Sequence, residues 1–163
     1  MELKRVVVTG LGMVTPLGND VATTWENLLA SKSGAGDITH FDASKFKTQF
    51  ACEVKDLDLS SLFDPKELRR YDRYIHLAVH SAEQAIQDAG IRMENEDAVR
   101  CGVIFGSGMG GVHTLDVNIG AHATGDGTPR YSPFYIPMVI TNMAAGMIGL
   151  RYGFRGVNYA TTS

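Results

Sequence analysis

The sequence has few of the features that mark secreted, metal-stabilised or membrane-spanning proteins. Only two cysteines occur in 163 residues, and their separation fits neither a disulfide framework nor a zinc ribbon. The apolar run near the N-terminus is three residues long, which is too short for a signal peptide. The longest apolar stretch, from Met138 to Leu150, is interrupted by Thr141 and Asn142 and falls short of the roughly 20 residues that a bilayer requires. These absences predict a cytoplasmic protein that does not span a membrane.

A strong excess of one charge is also lacking. The 18 acidic and 15 basic side chains leave a formal charge of −3, so a general nucleic-acid-binding surface is not expected. The apolar fraction of 44% is sufficient for a hydrophobic core and argues against global disorder. Glycine, by contrast, is abundant, with 18 residues, and predicts tight turns and close backbone packing.

Three apolar segments have the β-branched character of buried strands, and they alternate with helical segments. They are Val6–Val8, the run from Cys101 to Phe105, and the start of a strand over Val157–Thr162. Strands that alternate with helices predict an α/β fold with parallel pairing.

Three helices are predicted from apolar spacing and from capping residues. Asn19 or Asp20 caps a helix that runs to Leu29, and a second helix begins at Asp64-Pro65 and ends at Gly90. The third helix covers Pro137 to Leu150. Two other long segments, residues 37–62 and 112–129, are predicted as loops. The first of them is expected to contain short strands near Phe50–Val54.

A glycine-rich run after the second predicted strand matches a dinucleotide-binding fingerprint. Gly106, Gly108 and Gly111 have the required spacing, and Asp126 follows at a suitable distance. The segment after this run has little helical periodicity, so the alternative is a turn that only requires glycine dihedral angles.

Two histidines are spaced for metal binding on the second predicted helix. His76 and His80 are four residues apart and Glu83 follows, but no cysteine or acidic cluster completes a coordination sphere. An ordinary helix flank is therefore the favoured interpretation. Cys101 is predicted as a small buried thiol rather than a nucleophile, and Cys52 has no assigned role.

A local group of basic residues lies at the start of the same helix. Lys66, Arg69 and Arg70 are able to attract an anionic partner. The alternative is a solvated helix face, because the acidic residues Glu67 and Asp72 are interspersed among the basic ones.

Several separate motifs occur in the order found in one enzyme family. The chain resembles the N-terminal half of the β-ketoacyl-acyl carrier protein synthases of the KAS II type, and the resemblance extends over residues 1–163. Its motifs are Val6–Gly18 with the Trp25 helix, Gly102–Gly111, Ser132–Pro137, Asn142–Gly146 and Tyr152–Gly156. This resemblance displaces the dinucleotide interpretation.

The resemblance implies a thiolase-like fold, of which this chain forms the incomplete N-terminal βαβαβ half. It implies fatty acyl chain elongation: an acyl group is loaded onto a cysteine, malonyl-acyl carrier protein is decarboxylated, and the resulting carbanion equivalent attacks the thioester. The implied partners are acyl- and malonyl-loaded acyl carrier protein and a second subunit in a homodimer, and no cofactor or metal is implied. The other half of the fold is expected to cover apolar surface that this segment alone leaves exposed.

Site residues are carried over from the family only where the motifs match. The resemblance assigns Lys66, Arg69 and Arg70 to docking of the acidic carrier protein. It assigns Met109 to the acyl pocket, and Tyr135 and Ile136 to the dimer interface and the acyl pocket of the partner, with core packing as the alternative for the last two.

No catalytic residue is carried over. The family's nucleophilic cysteine is expected immediately after the segment equivalent to Asn158–Ser163, and its two catalytic histidines lie further downstream. The chain by itself is therefore expected to be inactive. The alternative function is a non-catalytic partner that binds the carrier protein or dimerises.

Overall fold

The computed structural model describes residues 3–162, within which two compact units are distinguished. One unit combines the chain up to Asp58 with Glu83–Gly90, and the other combines Leu59–Ala82 with the chain from Ile91 onward. The helices are α1 (Val21–Leu29), α2 (Glu67–Arg70), α3 (Arg73–Asp88), α4 (Val112–Thr124), α5 (Tyr135–Val139) and α6 (Met143–Tyr152). The strands are β1 (Ala35–Asp37), β2 (Phe50–Cys52), β3 (Val103–Gly106) and β4 (Asn158–Thr161).

In the first unit, α1 begins where its capping residue predicts. The Asp20 carboxylate accepts a hydrogen bond of 2.7 Å from the Thr23 N–H, which satisfies one of the free donors at the helix N-terminus. The strands β1 and β2 pair antiparallel, with Ala35 opposite Cys52. Three large apolar residues of α1, Trp25, Leu28 and Leu29, are nevertheless exposed, and Trp25 has 59% of its surface accessible.

The prediction of a buried strand at Val6–Val8 is wrong for this chain. The segment has no strand partner among residues 3–162, and all three valines are exposed. A strand is stabilised by the ladder hydrogen bonds of a neighbour, so β-branched residues alone do not form one.

The core of the second unit lies beneath a parallel strand pair. Strand β3 runs parallel to β4, with Val103 opposite Asn158, as the α/β pattern predicts. Helix α6 packs against both strands, and the Asn158 side-chain amide donates to the Ala145 carbonyl at 2.8 Å. The buried cluster consists of Phe63, Ile75, Ala78, Val79, Val103, Ala144, Ala145, Met147 and Ile148.

One face of this parallel pair carries exposed apolar residues. Ile104 and Tyr159 are direct cross-strand neighbours and have 67% and 46% of their surfaces accessible. Parallel sheets are normally covered on both faces. The expectation that this segment exposes apolar surface is therefore confirmed.

The single helix predicted from Asp64 to Gly90 is in fact two helices. Tyr71 adopts an extended conformation (φ −122°, ψ 145°), which ends α2 before α3 begins at Arg73. Asp72 accepts a hydrogen bond of 3.3 Å from the Tyr74 N–H, so its side chain caps a new helix instead of continuing the old one. Gly90 has a φ of +65° and ends α3 as predicted.

The predictions for the stretch after the glycine-rich run also need correction. Residues 112–124 form α4 instead of the predicted loop. Thr114 has the only buried side chain of α4, because the sequence of this helix lacks an apolar stripe. The helix predicted from Pro137 to Leu150 is divided into α5 and α6, because Ile140 is extended (ψ 135°). Within the described residues, no helix has the length and apolar character needed to span a membrane.

Candidate functional site

Helix α2 is short, and its position depends on reciprocal side-chain caps. The Asp64 carboxylate accepts from the N–H groups of Lys66 and Glu67 at 2.6 and 2.8 Å, and the Glu67 carboxylate accepts from the Asp64 N–H at 3.0 Å. The Glu67 and Lys66 N–H groups lower the pKa of Asp64, and the Arg70 charge lowers it further. The cap thus fixes the start of the helix that carries the predicted docking residues.

The structure brings the three predicted docking residues together, with Lys66 just before this helix and Arg69 and Arg70 on it. Lys66, Arg69 and Arg70, which we call the cationic surface, are all exposed. Arg69 is held along the helix by a hydrogen bond of 3.0 Å from its Nε to the Pro65 carbonyl. Within residues 3–162 none of the three forms a salt bridge, so their charges are available to a partner.

The two acidic residues that suggested an ordinary solvated helix face both form hydrogen bonds within the protein. Glu67 is engaged in the cap of α2, and Asp72 is buried, with only 6% of its surface accessible. Neither carboxylate forms an ion pair with the cationic surface among the described residues, whereas the exposed Asp64 lies near enough for the Arg70 charge to lower its pKa.

The buried Asp72 carboxylate joins this region to the start of α4. Its Oδ2 accepts from the N–H and the hydroxyl of Thr114, at 3.1 and 2.5 Å. The residue before α4 is Gly111, which has no side chain that can cap the helix. A carboxylate 42 positions away in the sequence therefore supplies the N-terminal cap of α4.

This cap also bears on the dinucleotide interpretation of Gly106–Gly111. The strand, glycine loop and helix that the fingerprint requires are all present, as β3, the loop and α4. The N-terminus of α4, where such proteins bind a pyrophosphate, already holds the Asp72 carboxylate. Of the three fingerprint glycines, only Gly111 is in a position where a Cβ would overlap a neighbouring backbone.

The loop from Gly106 to Gly111, here called the glycine loop, lies against α5. The Gly111 N–H donates to the Val139 carbonyl at 3.1 Å, and a Cβ on Gly111 would lie 2.0 Å from the Met138 oxygen. Gly110 has a φ of +68°, which disfavours residues with a side chain. Because Gly110 and Gly111 have no side chains, the backbone of the glycine loop approaches the backbone of α5 closely.

The predicted acyl-pocket residues lie on these two adjoining segments. Met109 belongs to the glycine loop and has 73% of its surface accessible, while Ile136 on α5 is also exposed. Tyr135 is half-buried, and its ring centroid lies 5.0 Å from that of Tyr131. Core packing stays the alternative for Tyr135 and Ile136. The assignment of all three residues to an acyl pocket stays a prediction.

The remaining candidate residues are His76, Cys52 and Cys101. Burial lowers the pKa of His76, and its ring packs edge-on against Phe63 with centroids 5.0 Å apart. No group of three metal-ligating side chains occurs in residues 3–162. Cys52 is exposed, and Cys101 is half-buried just before β3.

An open groove of about 420 Å³ adjoins the cationic surface. Its apolar lining comes from Leu62, Phe63, Pro65 and Leu68, and two serines and Asp64 line the rest. A partner attracted by the cations would find apolar surface beside them.

Three residues of this region were missed by sequence reasoning. Asp72 was counted as a solvated charge, Thr114 was placed in a loop, and Phe134 was not singled out. The Arg70 guanidinium lies over the Phe134 ring, with its carbon 5.0 Å from the ring centroid. The Ser-Pro-Phe motif marked the neighbourhood of Phe134, but no local signal links it to Arg70.

Comparison with known proteins agrees with the resemblance. The 3-oxoacyl-[acyl-carrier-protein] synthase 2 of Coxiella burnetii is 47% identical over 158 residues, covering 97% of this chain and 38% of that protein. The protein of that name from Synechocystis is 42% identical over 163 residues, covering all of this chain and 39% of that protein. The structure of the ishigamide ketosynthase/chain length factor superposes with a TM-score of 0.85 at 25% identity, covering 96% of this chain and 39% of that one.

The chain thus spans about two-fifths of the length of these relatives. The family described as beta-ketoacyl synthase, N-terminal domain, matches residues 3–163. One similar solved structure is that of a ketosynthase/chain length factor, and the fold of this chain is the corresponding part of the thiolase-like fold. The chain therefore belongs to the β-ketoacyl synthase family.

Proposed function

We propose that this chain is the segment of a 3-oxoacyl-acyl carrier protein synthase that docks the carrier protein and lines part of the acyl pocket. The observation that carries the docking role is the cationic surface, whose acidic neighbours Glu67 and Asp72 are engaged elsewhere. The intact protein elongates fatty acyl chains in the cytoplasm as a homodimer.

The proposed reaction divides the work between this chain and other residues of the enzyme. An acyl group passes from the carrier protein to a cysteine, forming a thioester and releasing the carrier thiol. Malonyl-carrier protein then loses carbon dioxide, and the electron pair left on its carbon attacks the thioester carbonyl and expels the cysteine thiolate. The residues of this chain bind and orient the carrier and its acyl chain, and none of them matches the family's nucleophile or catalytic histidines.

Docking depends on electrostatic attraction in this proposal. Lys66, Arg69 and Arg70 attract the acidic carrier protein, and the groove bordered by Leu62 and Leu68 offers apolar contact beside them. Exposed charges of this kind act mainly on association and are screened by salt.

Reversal of two docking charges tests this directly. In the double variant K66E/R69E, attraction becomes repulsion at two positions, so the carrier protein is expected to bind at least about tenfold more weakly, equivalent to about 1.4 kcal/mol. The measurement is a calorimetric titration of the protein with acyl carrier protein at low salt.

The variant K45E/K47E is the matched control, because it changes the net charge equally at exposed lysines outside the cationic surface. It is expected to bind within about twofold of the unmodified protein, because neither lysine is among the proposed docking residues. Equal weakening by both double variants would contradict a specific docking site.

A further inference from the structure

Arg70 differs from the other two residues of the cationic surface in what it touches within the protein. Its guanidinium carbon lies 5.0 Å from the centroid of the Phe134 ring, which is cation–π contact distance. Lys66 and Arg69 have no such ring contact among the described residues, and the Nε of Arg69 is bonded to the Pro65 carbonyl. One docking residue is therefore also part of an internal contact.

The residue under Arg70 is the one that begins α5. The Phe134 carbonyl accepts from the Met138 N–H at 2.9 Å, which closes the first turn of that helix. The Phe134 N–H itself donates to the Ser132 hydroxyl at 3.1 Å. The position of the Phe134 ring is thus tied to the backbone that carries Tyr135 and Ile136.

The other end of α5 is fixed independently of the cationic surface. The Tyr74 hydroxyl donates to the Ile140 carbonyl at 2.5 Å, and burial raises the Tyr74 pKa to about 12, so the donor stays protonated at neutral pH. The Gly111 N–H donates to the Val139 carbonyl at 3.1 Å. The end of α5 near Phe134 is therefore the one that docking can influence.

A guanidinium can make both contacts at the same time. Its planar face stacks on an aromatic ring while the N–H groups at its edge remain directed outward to bind a carboxylate. A lysine ammonium keeps the charge but lacks this planar face. A carrier carboxylate that binds the edge of Arg70 would hold the guanidinium in place over Phe134.

From these contacts we propose that Arg70 is a positioning residue that transmits carrier-protein docking to α5. Docking fixes the guanidinium, the guanidinium fixes the Phe134 ring, and the first turn of α5 becomes more rigid. This inference rests on the proposed docking function and adds a specific link to the predicted acyl-pocket segment. By linkage, an acyl chain that orders α5 also strengthens docking.

Hydrogen exchange at α5 tests this link without relying on catalysis. The intact protein is measured with and without acyl carrier protein, and the Met138 N–H group reports on the first turn of α5, since it donates to the Phe134 carbonyl. In the unmodified protein, carrier binding is expected to slow its exchange at least about threefold, because opening of the first turn becomes less frequent.

Two conservative variants remove the link from opposite sides. R70K retains the charge and F134L retains an apolar side chain, so both are expected to lose the protection even at carrier concentrations that saturate each variant. The matched control is R69K, which makes the same exchange on the same helix and is expected to keep the protection. The double variant R70K/F134L should show no further loss, because the two residues act through one contact.

The outcomes separate the two proposals. If R70K and F134L both keep the protection, or R69K loses it as they do, the link is wrong while docking stands. If the unmodified protein does not bind the carrier protein, the docking function fails and the inference fails with it.

Discussion

Replacement of Gly111 by alanine is expected to destabilise the protein by about 3 kcal/mol or more. A Cβ at this position would lie 2.0 Å from the Met138 oxygen and 2.9 Å from the carbonyl carbon. Both atoms belong to the backbone of α5, so rotation of a side chain cannot relieve the overlap. Either the glycine loop or α5 has to move, and the Gly111 hydrogen bond to the Val139 carbonyl is lost or weakened.

The matched control for this prediction is Gly108→Ala in the same loop. A Cβ on Gly108 would meet no atom within 4 Å, and its φ does not lie in the left-handed region. Its effect is expected to stay within about 0.5 kcal/mol, as for other exposed substitutions. Urea unfolding of both variants measures the difference. Equal stability of the two variants would show that the glycine loop does not pack closely against α5.

Removal of the Asp72 carboxylate is also expected to lower the free energy of unfolding strongly. The variant Asp72→Ala leaves the N–H of the buried residue Thr114 without its acceptor, and the Tyr74 N–H loses its cap as well. The loss of these bonds and of a helix cap predicts destabilisation of about 2–4 kcal/mol. Denaturant unfolding monitored by circular dichroism measures this change, and α4 is expected to lose helical content first.

Two further variants distinguish the role of Asp72 from a general effect of removing a carboxylate. Asp126→Ala removes an exposed carboxylate that accepts from the Thr128 N–H in a turn, and it is expected to cost less than about 1 kcal/mol. Thr114→Val replaces only the hydroxyl donor by a methyl group and is expected to cost about 1 kcal/mol. A stability change at Asp72 as small as that at Asp126 would contradict its role as the cap of α4.

Much of the fold could be predicted because the relevant signals are local. The Asp20 cap, the β-branched character of β3 and the glycine at position 90 all act within one or two turns of the chain. The elements that depend on these signals lie where the sequence predicts them, although the observed helix ends differ from the predicted ends by a few residues.

The misplaced elements depend on partners that are distant in the sequence. Val6–Val8 has strand character but no paired neighbour among residues 3–162. Helix α4 buries only Thr114 and is capped by Asp72, so neither an apolar stripe nor a local cap identifies it. Asp72 also divides the helix that was predicted to continue through it. Local sequence cannot encode a cap supplied from 42 positions away.

The candidate site was predictable as a set of residues but not as an arrangement. Resemblance to the family indicated Lys66, Arg69 and Arg70, yet their sequence neighbours Glu67 and Asp72 suggested a neutral face. Only the side-chain positions show that both carboxylates are engaged elsewhere and that Arg70 contacts Phe134. The docking proposal gains its support from these contacts.

The central claim is that this chain contributes docking and acyl positioning while the nucleophile belongs to other residues of the enzyme. The most direct measurement is formation of β-ketoacyl product when the 163-residue chain is mixed with acyl- and malonyl-acyl carrier protein. No product is expected, because no residue of the chain matches the family's nucleophile or its catalytic histidines. Product formed by the pure chain would contradict this division of roles.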